Sequence, residues 1–237
     1  MIKAVYFDLD DTLYDQLEPF RLAVQAAGFG ELVYDAAQLA FLFKQMRRHS
    51  DRLWVKHAVG ELSLKELRIQ RTTSAFVDIG LHVEQERAQF LQECYEHEQK
   101  VIVLSEGVQH LFQQLSERNM PFGIITNGPV EHQMNKIHTL GLRSWIDSRN
   151  IFISDGIGLA KPDPEVFRHV HAQTGCLTGQ LAYVGDAWHN DIVPSFNAGW
   201  KPIWLNGRRR VPDDGEAEIA YSECQDIREV LPIIENI

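Results

Sequence analysis

The 237-residue sequence has few cysteines, no long apolar run and no excess of basic residues, and each absence excludes a class of protein. Its three cysteines, Cys94, Cys176 and Cys224, are too few and too scattered for a disulfide framework or a zinc site. No run of about 18 apolar residues is available for a transmembrane helix, and too few apolar residues precede Asp8 for a signal peptide. We therefore expect a cytoplasmic protein.

The charge balance excludes a class of partner. The formal net charge is −10, so nucleic acids and membrane surfaces, which are both polyanionic, would be repelled. The basic run Arg208-Arg209-Arg210 lies in a polar stretch and is interpreted as a solvated loop, although it could attract a small anion. The predicted partner is a small molecule, with no nucleic acid polymer and no membrane.

Short apolar runs, each followed by a polar residue, are typical of central strands in a parallel sheet covered on both faces. They lie at 4–7, 122–125, 151–153, 182–184 and 202–205. Between them lie helix signals, such as Pro129 with a terminal Gly141, Asp163-Pro164 with a terminal Gly175, and a segment from about Asn190 to Gly199. Strands alternating with helices predict an α/β fold, a doubly wound core with a mainly parallel sheet.

The stretch 16–100 breaks this alternation, because it carries helix signals only. Leu39, Leu42, Phe43 and Met46 follow the spacing of one apolar helix face. Ser63 with Glu66 matches a capping box, and a further helix can run over 84–98. The sequence therefore predicts two domains: an α/β core formed by 1–15 and 101–237, and an inserted α-helical domain formed by 16–100.

In open parallel sheets, ligands bind beyond the carboxyl ends of the strands. Carboxylates from several strand ends would repel one another there unless a cation shared the site. A hard divalent ion that binds oxygen ligands would relieve that repulsion, and Mg²⁺ is the ion we expect. The polar residues expected at this edge are Asp8, Asp10, Thr126, Ser154, Asp155 and Asp186, with Lys161 and Asp191 a few residues beyond their strands.

Four motifs, in order along the chain, resemble those of the haloacid dehalogenase-like hydrolases, and specifically of their phosphatase branch. Asp8-Leu9-Asp10-Asp11-Thr12 is similar to the first motif and Thr126-Asn127-Gly128 to the second. Lys161-Pro162 is similar to the third, and residues 185–191 are similar to the fourth. The helical insert resembles the small α-helical cap of that family, so the resemblance covers essentially the whole chain.

The resemblance implies a role for each matching residue. Asp8 would be the nucleophile that forms an aspartyl-phosphate, and Asp10 would protonate the leaving alkoxide and then accept a proton from water. Mg²⁺ would be held by the Asp8 carboxylate, the Asp10 main-chain carbonyl and Asp186. The other implied site residues are Thr126, Asn127 and Lys161 for the phosphoryl group, with Lys161 also catalytic, and Asp191 and Thr12 in support.

These roles predict a Mg²⁺-dependent phosphatase that hydrolyses a small phosphomonoester, such as a nucleotide, sugar phosphate or flavin phosphate. A phosphomutase of the same family would use the same residues and stays an alternative. A 2-haloacid dehalogenase would leave Asp10 and Asp186 without a role, because dehalogenation has no alkoxide to protonate and needs no metal. A non-catalytic protein that binds a phosphorylated metabolite is a third alternative. Both a monomer and a homodimer are compatible with the sequence.

Overall fold

The computed structural model describes residues 1–212 and 219–237, with only the backbone of residues 33 and 34. The chain forms two compact units. The first, here called the core unit, consists of Met1–Asp15 and Val103–Ile237. The second, the helical unit, consists of Gln16–Ile102. A helix long and apolar enough to cross a membrane is absent from the described residues.

The core unit is built on one parallel sheet of six strands, which confirms the predicted α/β class. The strands are β1 Ala4–Phe7, β2 Phe122–Thr126, β3 Ile151–Ile153, β4 Leu181–Gly185, β5 Lys201–Leu205 and β6 Ser222–Cys224. Their spatial order is β3-β2-β1-β4-β5-β6, so the chain builds outward from β1 in one direction and then, from β4, in the other. The carboxyl ends of β1, β2 and β4 thus lie side by side where the order reverses, which is where such sheets bind ligands.

The prediction omitted strand β6 for a physical reason. Its three residues are half-buried Ser222, exposed Glu223 and buried Cys224, because β6 lies at the edge of the sheet. β6 therefore lacks the continuous apolar run found in β1, β2 and β4, in which every residue is buried, and in β3 at the opposite edge.

The helical unit consists of five helices around their own apolar core. They are α1 Leu17–Ala26, α2 Gly30–Tyr34, α3 Ala36–Ala58, α4 Leu64–Asp78 and α5 Gln85–Glu98. The Asp35 side chain caps α3, and both hydrogen bonds of the Ser63–Glu66 capping box are present at α4. The residues that the spacing placed on one face of α3, Leu39, Leu42, Phe43 and Met46, are buried.

The helices of the core unit cover the sheet. They are α6 Glu106–Glu117, α7 Val130–Thr139, α8 Ser154–Ile157, α9 Glu165–Thr174, a π-helix at Trp188–Ile192, α10 Val193–Asn197 and α11 Val230–Asn236. Side chains of β1 alternate between two aromatic clusters, with Tyr6 5.5 Å from the ring of Trp200 and Phe7 5.5 Å from that of Phe112. The single helix expected from about Asn190 is instead the π-helix continued by α10, and Asp191 lies within the wider π turns.

Candidate functional site

Three buried carboxylates meet at the carboxyl edge of the sheet. Asp8 follows β1, Asp186 follows β4, and Asp191 lies six residues beyond β4 in the π-helix. One carboxylate oxygen of each lies within 4.8 Å of the others, and all three side chains are buried. The parallel register of β1 with β4 brings Asp8 and Asp186 to the same edge. The Asp8 N–H, which donates to the Val184 carbonyl at 2.9 Å, reinforces this register.

Lys161 holds two of these carboxylates. Its buried Nζ donates to Asp8 Oδ1 at 2.7 Å, to Asp191 Oδ1 at 2.6 Å and to the Tyr183 hydroxyl at 2.8 Å. The Tyr183 hydroxyl in turn donates to the Ile125 carbonyl at 2.8 Å. Each of the three ammonium hydrogens thus has an acceptor, as a buried lysine requires.

One ammonium does not neutralise this cluster. Burial raises the pKa of Asp8 and of Asp191, and the Lys161 ammonium offsets only part of that increase. For Lys161, burial lowers the pKa, but Asp191 and Asp8 outweigh it and hold the pKa well above its ordinary value. Ionisation of these buried carboxyl groups is therefore disfavoured unless a further cation shares the site, and the donors are all carboxylate oxygens. This donor set fits a hard divalent cation such as Mg²⁺.

Asp186 is held from two sides by residues that the sequence analysis did not assign to the site. Its main-chain carbonyl accepts a hydrogen bond from Trp204 Nε1 at 2.9 Å, and its Oδ2 accepts one from Arg210 Nη2 at 2.6 Å. Arg208 donates to Asp11 Oδ1 at 2.9 Å. Arg208 and Arg209 are exposed, as the interpretation of the basic run as a solvated loop predicts, but Arg210 is half-buried and departs from it because its guanidinium pairs with Asp186.

Asn127 organises the loop that carries Lys161. Its Nδ2 donates to the Lys161 carbonyl at 2.6 Å, and its Oδ1 accepts the Lys161 N–H at 3.0 Å. The side-chain amide is thus occupied by main-chain partners 34 residues away, and it positions Lys161. A phosphate contact from Asn127 stays a prediction.

The end of β3 contributes less to the site than the other strand ends. Ser154 Oγ accepts a hydrogen bond from the Gly128 N–H at 2.9 Å, which ties β3 to the turn after β2. Asp155 is exposed, and no contact joins it to the three carboxylates within the described part of the chain. Thr12 is buried, and its hydroxyl has no hydrogen-bond partner among the described residues.

Asp10 has a separate set of partners. Lys136 Nζ lies 2.8 Å from both of its carboxylate oxygens, and Tyr14 and Gln133 donate to one oxygen each. Burial disfavours ionisation of Asp10, but the Lys136 ammonium and these hydrogen bonds outweigh burial and hold its pKa well below the ordinary value. Asp10 is therefore ionised in this arrangement.

Lys136 and Gln133 were not predicted as site residues, although the spacing of α7 carries a signal for them. Ile137 and Leu140 mark the buried face of α7, and Gln133 is buried there too, whereas Met134 is only half-buried. Gln133 lies four residues before Ile137, and Lys136 lies four residues before Leu140, so helical spacing puts them on the buried face. A polar pair on that face of α7 indicates a polar partner inside the core unit.

Gly185, the last residue of β4, leaves the space that Asp191 occupies. A Cβ atom at position 185 would lie 2.4 Å from Asp191 Oδ2, which is far inside van der Waals contact. We expect Gly185→Ala to displace Asp191 and to lower the free energy of unfolding by about 1–3 kcal/mol, measured by urea denaturation. Gly179→Ala is the matched control, because nothing lies within 4 Å of its added Cβ. Equal stability of the two variants would contradict the close packing.

The chain is similar to proteins of a known family. A family model described as haloacid dehalogenase-like hydrolase matches residues 2–199. The chain is 24% identical over 239 residues to a glyceraldehyde 3-phosphate phosphatase from Methanothermobacter thermautotrophicus, covering 98% of this chain and 100% of the relative.

Two solved structures share the fold. The hydrolase YfnB from Bacillus subtilis, solved bound to magnesium, has a TM-score of 0.71 at 22% identity over 100% of this chain and 99% of that one. An L-2-haloacid dehalogenase from Xanthobacter autotrophicus has a TM-score of 0.70 at 14% identity, covering 100% of both chains. Because the family model matches most of the chain, this protein belongs to the haloacid dehalogenase-like hydrolases.

Proposed function

We propose that this protein is a phosphatase that hydrolyses a small phosphomonoester through a phosphorylated Asp8. The observation that carries the proposal is the arrangement around Lys161, which joins the carboxylates of Asp8 and Asp191 next to Asp186. The ammonium lies beside the buried carboxylate of the proposed nucleophile, so it can stabilise the phosphoryl oxygens that gain charge in the transition state once its hydrogen bond to Asp8 is exchanged for one to the phosphoryl group. The phosphatase relative supports the same activity.

The reaction proceeds in two displacements. In the first, an Asp8 oxygen forms a bond to phosphorus while the bond to the leaving alkoxide breaks, and Asp10 gives the alkoxide a proton. In the second, a water oxygen bonds to phosphorus, the Asp8–phosphorus bond breaks, and Asp10 takes the proton of the water. The ionised state of Asp10 suits the second step, and the proton gained there is the one it needs in the next first step.

Mg²⁺ is the proposed cofactor. The Asp8 and Asp186 carboxylates and the Asp10 main-chain carbonyl would hold it, and Asp191 would keep Lys161 in place. When bound, the ion neutralises the carboxylates and polarises the phosphoryl group. Arg210, which donates to Asp186 Oδ2, neutralises part of the same charge.

The residues around Asp10 favour a phosphatase over a dehalogenase. A haloacid substrate releases a halide ion that needs no proton, so a fixed proton-transfer group would have no catalytic role in dehalogenation. Here Asp10 is held by Lys136, Tyr14 and Gln133. We further propose that the helical unit is a cap that selects the substrate and excludes bulk water.

A panel assay tests the proposed function. Purified protein is incubated with p-nitrophenyl phosphate and with a set of nucleotides, sugar phosphates and flavin phosphates, and released phosphate is measured with Mg²⁺ or with EDTA. We expect release with Mg²⁺, a decrease of at least about tenfold with EDTA, and recovery when Mg²⁺ is restored. An isomerised product without free phosphate would identify a mutase instead. Halide release from a 2-haloacid, unaffected by EDTA, would identify a dehalogenase.

A further inference from the structure

Two buried polar side chains on α7, Gln133 and Lys136, contact Asp10 but take no direct part in the two displacements. Only 1% of Gln133 and 4% of Lys136 is exposed to solvent. Burial of an ammonium group is costly unless a partner compensates it. The groups that contact these side chains therefore indicate their purpose.

Lys136 and its neighbours hold the Asp10 carboxylate from both ends. Lys136 Nζ lies 2.8 Å from Oδ1 and 2.8 Å from Oδ2. The Tyr14 hydroxyl donates to Oδ1, and Gln133 Nε2 lies 3.2 Å from Oδ2. With donors on both oxygens, the carboxylate plane cannot rotate without breaking charge-assisted hydrogen bonds.

Gln133 also connects Asp10 to the phosphoryl side of the site. Its Nε2 lies 2.5 Å from Thr126 Oγ1 and 2.9 Å from the Asn127 carbonyl. Gly128 leaves room for this side chain, because a Cβ there would lie 3.3 Å from Gln133 Cδ, and its φ of 139° also disfavours other residues. One helix face thus sets the distance between Asp10 and the predicted phosphate-binding residue Thr126.

We propose that Lys136 and Gln133 are positioning residues that aim the Asp10 carboxylate at the water that hydrolyses the aspartyl-phosphate. The inference rests on the proposed function. In that step, water oxygen bonds to phosphorus, the electron pair of the Asp8–phosphorus bond returns to Asp8, and the water proton passes to Asp10. A carboxylate free to rotate would be aligned with the water less often, and the step would slow.

p-Nitrophenyl phosphate separates hydrolysis of the aspartyl-phosphate from its formation, because p-nitrophenolate leaves without being protonated. Phosphorylation of Asp8 by this substrate then does not depend on Asp10, and kcat/KM reports on the phosphorylation step alone. In Lys136→Met with saturating Mg²⁺, we expect kcat to fall about 10²-fold and KM to fall in parallel, with kcat/KM within about threefold of wild type. Rapid mixing should show a burst of p-nitrophenolate equal to the enzyme concentration.

Further variants separate positioning from folding. Lys136→Arg retains the charge and should recover most of kcat, and Gln133→Met should lower kcat with the same burst. Lys201→Met is the matched control, because Lys201 is exposed at the start of β5, and it should behave as wild type. Thermal melts check each variant; if Lys136→Met does not fold, Gln133→Met provides the same test.

The possible outcomes are distinct. A parallel fall of kcat and kcat/KM without a burst, or unchanged kinetics in a folded variant, would overturn the positioning role while leaving a phosphatase. A wild-type protein that releases phosphate from no substrate would overturn the proposed function, and the positioning role with it.

Discussion

Asp8→Asn should lower kcat/KM for any phosphomonoester substrate by at least about 10⁴-fold, because an amide cannot form the covalent intermediate. The replacement has nearly the same shape, so the loss would be chemical. Asp8 shares Lys161 with Asp191, and burial already raises its pKa, so a neutral side chain relieves a buried charge. The melting temperature without metal should therefore not fall. Phosphate release and thermal melts measure the two effects.

Asp155→Asn is the matched control for this variant. Asp155 also follows a strand, but it is exposed and lies apart from the carboxylate cluster. The same charge change there should leave kcat/KM within about twofold of wild type. Persistent turnover by Asp8→Asn, or phosphate trapped on another residue, would refute Asp8 as the nucleophile.

Lys161→Met should reduce the free energy of unfolding by about 3–5 kcal/mol at neutral pH, because it leaves Asp8 and Asp191 buried without their ammonium partner. The methionine has similar length, so the loss is mainly electrostatic. Addition of Mg²⁺ should recover part of the stability if the carboxylates bind the ion. Urea denaturation with and without Mg²⁺ measures both effects.

The pH dependence of this variant has a definite sign. Burial raises the pKa of Asp8 and Asp191 above their unfolded values, and loss of Lys161 removes the main opposing influence. The folded protein then holds protons that the unfolded chain releases, so stability decreases as pH rises from the ordinary carboxylate pKa through the raised values. The destabilisation relative to wild type should thus be smaller at pH 5 than at pH 7.5. A pH-independent difference, or an equal loss in the exposed control Lys201→Met, would contradict this account.

The strands and the helix starts were predictable because each depends on neighbouring residues. The run at 4–7 matches β1, and that at 151–153 matches β3, since buried strands need consecutive apolar side chains. The Ser63 capping box formed as the spacing indicated, because its four residues satisfy one another's backbone groups. Edge strand β6 and the π-helix at Trp188–Ile192 were missed, since partners distant in sequence decide both.

The sequence by itself determined the α/β class and the set of polar residues beyond the strand ends, because strand patterns and motifs are local properties of the chain. Only the tertiary structure decided how these residues pair. In the folded chain, Lys161 forms ion pairs with Asp8 and Asp191, Arg210 with Asp186, and Lys136 with Asp10. These partners are 24 to 153 residues apart, and it is the parallel sheet and its covering helices that bring them within hydrogen-bond distance. The motif predicts Asp8 as the nucleophile, but the charge environment of Asp8 depends on that packing.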